Sequence, residues 1–344
     1  MKKILITGVA GFIGYHLVNL LKEKYEIIGI DNINEYYSPQ LKLDRLKELG
    51  INDKIVYGKI LESHKIKSFK FYKINLEDLT KLEYIFKNYK FDCIINLAAQ
   101  AGVRYSLENP AAYLNSNIIG FFNIIESAKK YKINKIIFAS SSSVYGDNKK
   151  IPFSEDDRTD TPISFYAATK KCNEILAYNY YYLYNISMIG LRFFTVYGPW
   201  GRPDMAYFIF TDKILKGETI TLFNEGKLRR DFTYIDDIIK GIELLLEDVL
   251  EKNITEFNIY NIGNNKPVNI LNFVNILEEI LGKKANIEYK PLQPGDLIET
   301  FADIDKLKER ISFKPDTDIK EGLFKFVEWY KNYYKIRGCY DKKD

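Results

Sequence analysis

Short runs of apolar residues alternate along the chain with longer segments in which apolar positions recur every three or four residues. The runs are rich in β-branched residues and predict strands, whereas the longer spacing predicts helices. We expect strands over residues 3–6, 26–30, 69–74, 93–97, 135–139 and 187–191. We expect helices over residues 12–24, 41–49, 79–88, 111–131 and 165–184.

Strands that alternate with helices of this length are typical of a parallel sheet with helices on both faces. The run Cys-Ile-Ile-Asn-Leu at 93–97 fits such a sheet, because a strand buried on both sides needs no polar alternation. The predicted fold class is therefore α/β, with a Rossmann-type doubly wound parallel sheet.

Beyond about residue 192 the predicted elements become shorter. Segments rich in Gly, Pro and Asn interrupt them at 198–203, 224–226, 263–267 and 293–296. We therefore expect a smaller mixed α/β lobe in the C-terminal half. The predicted organisation is a dinucleotide-binding domain over 1–180, joined by segments that return from the second half, and a ligand-binding lobe over 181–344.

Charge and hydropathy exclude some partners. The 344 residues include 50 Lys and Arg against 46 Asp and Glu, and this net charge of +4 does not indicate a nucleic-acid partner. The lysine-rich stretch 54–73 is interleaved with Ile, Phe and Tyr, which favours a solvated amphipathic segment over a phosphate-binding patch. No apolar run approaches the roughly 18 residues of a membrane span. The first residues also lack the apolar region of a signal peptide, so we expect a cytoplasmic protein without a membrane partner.

Cysteine and histidine are too few and too scattered for a metal centre. Cys93, Cys172 and Cys339 form no Cys-x-x-Cys pair, which argues against both a disulfide framework and a zinc site. His16 and His64 are the only histidines, and we assign both to structural or surface roles. The sequence therefore predicts no metal site and no Ser-His-Asp triad.

A glycine-rich loop follows the first predicted strand and opens the first predicted helix. Gly8 permits a tight turn, Gly11 allows the backbone to approach a pyrophosphate, and Gly14 allows close helix–strand packing. Asp31 ends the second predicted strand, where a carboxylate accepts hydrogen bonds from a ribose and repels a 2′-phosphate. Because the neighbouring residues supply no arginine, we predict NAD rather than NADP. A merely structural glycine turn is the alternative.

Two further strand ends belong to the same predicted edge of the sheet. Asn75 and Leu76 follow the third strand, and Leu97, Ala98 and Ala99 follow the fourth. We expect adenine and pyrophosphate to lie here, since small alanines let a dinucleotide approach the backbone. Ordinary helix–strand packing would explain the alanines equally well.

Tyr166 and Lys170 stand four residues apart, downstream of the serine run 140–143. On a helix this spacing places the phenol and the ammonium on one face, where the cation is expected to lower the tyrosine pKa. A free phenol titrates near about 10 and is a poor base at neutral pH unless its anion is stabilised. The pair therefore predicts an acid/base for interconversion of a carbonyl and an alcohol.

Several longer motifs extend this pattern over nearly the whole chain. They are Asn-Leu-Ala-Ala at 96–99, Ser-Val-Tyr-Gly at 143–146, and the stretches 29–37, 98–106, 192–205 and 229–237. With the glycine loop and Tyr-x-x-x-Lys, the chain resembles the extended short-chain dehydrogenase/reductases. Within them it is similar to the nucleotide-sugar epimerases, and most specifically to the UDP-glucuronate 4-epimerases.

The resemblance implies a role for each matching residue. Tyr166 would take the proton of the sugar 4-hydroxyl, Lys170 would lower the phenol pKa and bond the nicotinamide ribose, and Ser141 would bond the same sugar oxygen. The dinucleotide positions implied, besides Tyr166 and Lys170, are Gly8, Gly11, Phe12, Ile13, Gly14, Asp31, Asn32, Asn75, Leu76, Leu97, Ala98, Ala99 and Asn117. At Asn75 many relatives carry an aspartate, so a weaker contact to adenine is expected.

Related enzymes of the superfamily perform eliminations and decarboxylations with extra acids. Dehydratases place an Asp-Glu pair where this chain has Ser142 and Ser143, and decarboxylases place a glutamate at the second position. Both residues here are neutral hydroxyls, which favours epimerisation.

For a uronate substrate, the resemblance and the chemistry point to Ser142, Ser143 and Thr195 as donors to the sugar carboxylate, with Arg202 as its charge partner on a loop that looks mobile. Arg230 would bind the diphosphate, and guanidinium suits that bidentate role. The segment Leu222 and Phe223 would read uracil, and Asp296 would touch a ribose. Some relatives carry arginine at the position of Gln293, so one phosphate contact is expected to be missing or replaced.

Two other functions stay open at this point. A 4-epimerase for UDP-glucose or UDP-N-acetylglucosamine would use the same Tyr166, Lys170 and NAD. A non-catalytic Rossmann protein that senses dinucleotide ratios is a more remote alternative. The family resemblance also implies a homodimer packed through the helices at 111–131 and 165–184.

Overall fold

A computed structural model of the protein describes residues 1–252, 254–292 and 297–336. The strands are β1 Lys3–Thr7, β2 Glu26–Asp31, β3 Ile60–Glu62, β4 Phe69–Lys73, β5 Cys93–Asn96, β6 Lys135–Ser141, β7 Ser187–Phe193, β8 Thr195–Tyr197, β9 Thr219–Phe223, β10 Arg229–Tyr234, β11 Phe257–Ile262, β12 Pro267–Asn269 and β13 Asn286–Lys290. The α-helices are α1 Phe12–Leu21, α2 Pro39–Glu48, α3 Leu79–Asn88, α4 Tyr105–Glu108, α5 Pro110–Tyr113, α6 Gly120–Lys130, α7 Phe165–Tyr184, α8 Ala206–Lys216, α9 Ile235–Glu251, α10 Ile270–Leu281, α11 Asp305–Ile311 and α12 Ile319–Ile336.

Eight strands form the main sheet, in the order β11-β7-β6-β5-β1-β2-β4-β3. All neighbours pair in parallel except the short β3, which runs antiparallel to β4. The strand order reverses between β1 and β5, which is the switch point where open α/β sheets bind ligands. The predicted α/β class and doubly wound sheet are confirmed.

Apolar side chains bury both faces of this sheet. In β1, Ile4 and Ile6 join the core on one face and Leu5 joins the core on the other, and all three are fully buried. Helices α1 and α9 contact each other in the first core, while α6 contacts both α3 and α7 around the second. Burial on two faces explains why the strands read as continuous apolar runs.

Segments from beyond residue 180 complete the main sheet. Strands β7 and β11 occupy its edge opposite β3, so the chain re-enters the dinucleotide half after leaving it. The remaining strands form a three-stranded sheet, β12-β10-β8, and a two-stranded sheet, β13-β9. Helices α8, α10 and α12 pack near them, which gives a smaller mixed lobe beside the main sheet. Within the described residues, we find no helix with both the length and the hydropathy of a bilayer span.

The predicted single helix over 111–131 is divided in the structure. A π-helical turn, Leu114–Ile119, separates α5 from α6. Asn117 in this turn is buried and turns its amide to the backbone of Gln100, accepting from N at 2.7 Å and donating to O at 3.0 Å. Single π turns inside helices are frequent near functional sites, and this one fixes the segment that follows β5.

Candidate active site

A cavity of about 1020 Å³ lies at the carboxyl edge of the main sheet, where it meets the smaller lobe. This volume is at the upper end of the roughly 300–1,000 Å³ found for small-molecule sites, as expected if two ligands share one cleft. The predicted site residues that line it are Gly8, Gly11, Phe12, Ile13, Gly14, Asp31, Asn32, Leu76, Leu97, Ala98, Ala99, Ser141, Ser142, Ser143, Tyr166, Lys170, Thr195, Arg202, Leu222, Phe223 and Arg230. Most positions proposed from the sequence therefore meet in one cleft.

The glycine loop between β1 and α1 is packed too tightly for side chains. Gly8 has a φ of +79°, and a Cβ on Gly14 would lie 2.2 Å from the Gly8 carbonyl oxygen. In the described part of the chain, no side chain caps the first turn of α1, whose N-terminal end meets the cavity. A bare helix N-terminus offers N–H groups and a positive dipole end, which fits the pyrophosphate of a dinucleotide.

Asp31 joins the glycine loop to the end of β2. Its Oδ2 accepts from the Ala10 N–H at 3.0 Å and its Oδ1 accepts from the Ile33 N–H at 2.8 Å. The carboxylate lines the cavity and retains acceptor capacity for ribose hydroxyls. The loop, the bare helix end and this acid together fit an NAD molecule.

The three residues proposed for acid/base chemistry converge from β6 and α7. Ser164 caps α7 by accepting from the Ala167 N–H at 3.1 Å, which sets the start of the helix that carries Tyr166 and Lys170. The hydroxyl of Ser141, the last residue of β6, faces the phenol of Tyr166 closely enough to favour its anion. The arrangement can bind one oxygen atom between a phenol and a hydroxyl.

The expectation that Lys170 lowers the pKa of Tyr166 needs correction for the chain without bound ligands. Burial raises the pKa of the Tyr166 phenol, and the nearby Ser141 hydroxyl and the charge of Arg202 oppose this effect only in part. The ammonium of Lys170 instead donates to the Ala139 carbonyl at 2.8 Å. Burial lowers the pKa of Lys170 to about 8, because its charged form loses hydration.

Arg202 lies on a loop that the structure holds in place, although its composition suggested mobility. Buried Arg45 donates to the carbonyls of Trp200, at 2.6 Å from Nη2, and Gly201, at 3.2 Å. His16 bonds the Pro199 carbonyl at 2.9 Å, and burial lowers the His16 pKa to about 4. His16 is therefore a structural residue.

The guanidinium of Arg202 pairs with Asp204 and faces the cavity. Its Nε lies 3.0 Å from Oδ1 of Asp204, and its Nη2 bonds Oδ2. Ser142, Ser143 and Thr195 line the same cavity, the two serines in a 3₁₀ turn after β6. Three hydroxyls and one arginine thus line the same cavity as Tyr166.

Besides Thr195, the smaller lobe brings Leu222, Phe223 and Arg230 to the cavity. Leu222 and Phe223 end β9, and Arg230 lies in β10, where its Nη1 donates to the Arg229 carbonyl at 2.9 Å. The next residue, Asp231, is fully buried and accepts from the N–H groups of Asn264, Asn265 and Ala302. This carboxylate ties β10 to two loops and so fixes the position of Arg230.

Two predicted positions among the described residues are not part of the cavity lining. Asn75 is exposed between Ile74 and Leu76, which do line it. The buried Asn117 uses its amide to hold the Gln100 backbone, so it supports the wall from behind. Asp296, like Gln293, lies outside the described residues.

Sequence reasoning missed five charged residues in the described part of the cavity lining, namely Lys42, Arg104, Glu108, Asp204 and Lys213. Lys42 in α2 is buried, lies within electrostatic reach of Asp31 and donates to the Asn34 backbone carbonyl at 2.6 Å. Burial lowers the Lys42 pKa to about 8. Asp204 stands two residues after Arg202 in the stretch 192–205, which carries part of the family resemblance. Its closeness to Arg202 in the sequence could have identified it as a site residue. The position of Lys42 gave no comparable signal, because α2 shows only amphipathic helical spacing.

Comparison with known proteins agrees with this geometry. The NAD dependent epimerase/dehydratase family matches residues 4–263. The chain is 48% identical over 347 residues to Protein CapI of Staphylococcus aureus, covering 97% of this chain and 99% of that protein. It is 45% identical over 353 residues to UDP-glucuronate 4-epimerase 2 of Arabidopsis thaliana, covering 97% of this chain and 77% of that protein.

A crystal structure of UDP-glucuronic acid 4-epimerase from Bacillus cereus, in complex with UDP-glucuronic acid and NAD, has the same fold. The TM-score is 0.86 at 34% sequence identity, and the match covers 97% of this chain and 100% of that chain. The family match spans more than half of the chain and includes the glycine loop, Ser141, Tyr166 and Lys170. This chain therefore belongs to the NAD-dependent epimerase/dehydratase family.

Proposed function

We propose that the protein is a UDP-glucuronate 4-epimerase that interconverts UDP-glucuronate and UDP-galacturonate with tightly held NAD. The observation that carries this proposal is the shared cavity: Ser141, Tyr166 and Lys170 meet Arg202 across one cleft. Arg202 supplies a cation where a uronate places its carboxylate. A neutral sugar has no group that requires such a charge.

The residues of this chain provide the proton chemistry. NAD, when bound, accepts and returns the hydrogen of the sugar C4. Tyr166 removes the proton of the 4-hydroxyl while Ser141 bonds the same oxygen, and Tyr166 returns the proton after the 4-keto sugar has turned over. Lys170 bonds a ribose hydroxyl of the cofactor in this proposal, and the positive charge of the oxidised nicotinamide would favour the phenolate of Tyr166.

Retention of the sugar carboxylate is the specific difficulty of this reaction. Once C4 is a ketone, the uronate is a β-keto acid and tends to lose CO₂. Hydrogen bonds from Ser142, Ser143 and Thr195, with the charge of Arg202, stabilise the carboxylate relative to departing CO₂. The neutral serines also supply no acid for elimination.

The nucleotide half of the substrate lies against the smaller lobe in this proposal. Arg230 binds the diphosphate, and the backbone of Leu222 and Phe223 reads uracil. Asp296 remains our candidate for a ribose contact. The dinucleotide positions Gly8, Gly11, Gly14 and Asp31 hold NAD at the opposite end of the cavity.

One assay separates this function from its alternatives. The purified protein is incubated without added NAD, in parallel, with UDP-glucuronate, UDP-glucose and UDP-N-acetylglucosamine. We expect UDP-galacturonate from the first and much slower turnover of the others. Preferred turnover of a neutral sugar would identify the second epimerase function, and no turnover of any would support a dinucleotide sensor.

The carboxylate role of Arg202 has its own test. Arg202→Gln should lower the rate of UDP-glucuronate epimerisation, because the substrate carboxylate loses its charge partner. Unchanged turnover of UDP-glucuronate would refute the assignment.

We propose in addition that the protein works as a cytoplasmic homodimer in polysaccharide biosynthesis. Large apolar side chains stay exposed on the outer face of α7, among them Ile175, Tyr178 and Tyr182. Their spacing places them in one stripe, and contiguous exposed apolar surface marks an interaction site. A second copy of the same helix pair would cover it.

A further inference from the structure

Two segments far apart in the sequence meet at Arg202. The hydroxyl of Tyr36, in the segment after β2, donates to Oδ2 of Asp204 at 3.0 Å across a separation of 168 residues. The same carboxylate accepts from Nε and Nη2 of Arg202. Tyr36, Asp204 and Arg202 therefore form one chain of contacts, which we call the Arg202 tether.

The backbone after β5 leaves room for the Tyr36 hydroxyl. Gly102 has a φ of +103°, and a Cβ there would lie 2.4 Å from the Tyr36 hydroxyl oxygen. The Tyr36 ring packs against Tyr105 with centroids 4.9 Å apart. The hydroxyl is therefore directed to Asp204 by packing on two sides.

Arg45 fixes the backbone of the loop independently of the tether. Its guanidinium bonds the carbonyls of Trp200 and Gly201, and it also donates to the Ala10 carbonyl of the glycine loop at 2.8 Å. The loop backbone is thus anchored to the cofactor end of the cavity. What Tyr36 and Asp204 determine is the direction of the Arg202 side chain.

A carboxylate in this position is unexpected if the substrate is itself a carboxylate, because like charges repel. Asp204 lines the cavity, where the charge of Arg202 balances its own and the Tyr36 hydroxyl donates a hydrogen bond to it. Arg202 and Tyr166 line the same cavity, and the positive charge of Arg202 opposes the rise that burial causes in the Tyr166 pKa. The guanidinium therefore shares the cavity with the phenol to which the proposed function assigns the sugar O4. An untethered Arg202 can therefore turn from the substrate carboxylate toward O4.

We propose that Tyr36 and Asp204 are positioning residues that hold Arg202 on the substrate carboxylate and away from O4, and so prevent decarboxylation. The inference rests on the proposed function. A cation at O4 stabilises an enolate, whereas a cation at the carboxylate stabilises the bound acid. The tether keeps the cation at the carboxylate.

The reaction that the tether prevents is the decarboxylation of the 4-keto uronate. In the 4-keto uronate, the C5–C6 bond breaks and its electron pair moves into the C5–C4–O4 enolate. C6 leaves as CO₂, and a proton then adds to C5 to give a UDP-4-keto-pentose. No additional oxidant or reductant is consumed in this step.

The test compares how the 4-keto intermediate divides between decarboxylation and epimerisation. It uses Tyr36→Phe, Asp204→Asn and the wild type. Each protein is incubated with UDP-glucuronate labelled with ¹³C at C6, and the released ¹³CO₂ is measured against UDP-galacturonate. The matched control is Tyr105→Phe, which removes a phenol hydroxyl from the same ring cluster without touching Asp204. Far-UV circular dichroism and retained nucleotide establish that each variant is folded.

We expect both tether variants to raise the ratio of CO₂ to UDP-galacturonate by about tenfold or more, the effect of losing one hydrogen bond to a charged group. The control should keep the wild-type ratio. Folded tether variants with the wild-type ratio would overturn the inference, whatever their rate. If the wild type itself forms no UDP-galacturonate, the proposed function fails instead.

Discussion

Lys170 illustrates how a residue that the chemistry requires can destabilise the folded chain. It is 3% exposed, its described hydrogen bond is to a neutral carbonyl, and burial lowers its pKa to about 8. An unfolded lysine titrates near about 10.4. The folded state therefore binds fewer protons between these two values, so the free energy of unfolding rises as pH increases through this window.

Lys170→Met is expected to stabilise the protein at pH 7 by about 1–3 kcal/mol, because the buried charge is removed. The same variant should lose epimerase activity. Urea unfolding of protein freed of nucleotide gives the measurement, since retained ligand would stabilise the wild type. The gain should disappear near pH 10.5; a loss of stability at pH 7, or a gain independent of pH, would contradict this explanation.

Gly14 tests the close contact between helix and strand. Alanine in a helix interior is normally about 1 kcal/mol better than glycine. Here the added Cβ would meet the Gly8 carbonyl at 2.2 Å, so Gly14→Ala should lower the free energy of unfolding by about 1–3 kcal/mol and weaken NAD binding.

The matched control is Gly282→Ala at the C-terminal end of α10. Gly282 has a φ of +65°, and its Cβ would meet nothing within 4 Å. This variant should lose about 1–2 kcal/mol from its left-handed backbone alone and bind NAD normally. Unfolding by urea and NAD titration would distinguish the two glycines, and equal NAD affinity in both variants would argue against the loop assignment.

At the scale of elements, a buried ion pair joins α7 to the strands that carry the site. Glu174 accepts from Nε and Nη2 of Arg192 in β7 at 2.9 Å each, and from the Ser140 hydroxyl of β6 at 2.6 Å. Both charged side chains are 4% exposed. The pair therefore links the helix of Tyr166 to the strand that ends in Ser141.

Glu174→Gln should lower the free energy of unfolding by about 3–5 kcal/mol, because it leaves the Arg192 charge buried without a partner. Removing that charge as well, in Glu174→Gln with Arg192→Met, should recover a large part of the loss. Denaturant unfolding measures both. A double variant no more stable than the single one would show that the unpaired charge is not the cause.

Local pattern was enough to locate most elements but not the contacts between them. Helices α3 and α7 have the predicted bounds, and the predicted strands of the main sheet differ by one or two residues at their ends. The break at Leu114–Ile119 was not predicted, because Asn117 in this turn exchanges two hydrogen bonds with the backbone of Gln100, which local pattern does not reveal. The tether was missed for the same reason, since Tyr36 and Asp204 are 168 residues apart.

At the scale of the whole molecule, the exposed stripe on α7 concerns assembly. Tyr182 is 73% exposed and Ile175 59% exposed, on the outer face of the helix whose inner face carries Lys170. If a second copy covers this stripe, a charge placed in it must be buried without a partner on association.

Tyr182→Asp with Ile175→Asp is expected to shift the protein from dimer to monomer, because each substitution buries an unpaired carboxylate in the interface. Sedimentation velocity at several concentrations measures the change. As a control, Tyr84→Asp alters an exposed tyrosine on α3 instead and should leave the assembly unchanged. A monomeric wild type, or a dimeric double variant, would contradict the proposed interface.

The central claim is that C4 is oxidised and reduced again within one pocket, with Tyr166 moving the proton. The most direct measurement uses UDP-glucuronate that carries deuterium at C4, in ordinary water and without added NAD. The account predicts UDP-galacturonate that retains the deuterium at C4 with the wild type, and almost no product with Tyr166→Phe. Product with hydrogen from water at C4, or normal turnover by Tyr166→Phe, would contradict it.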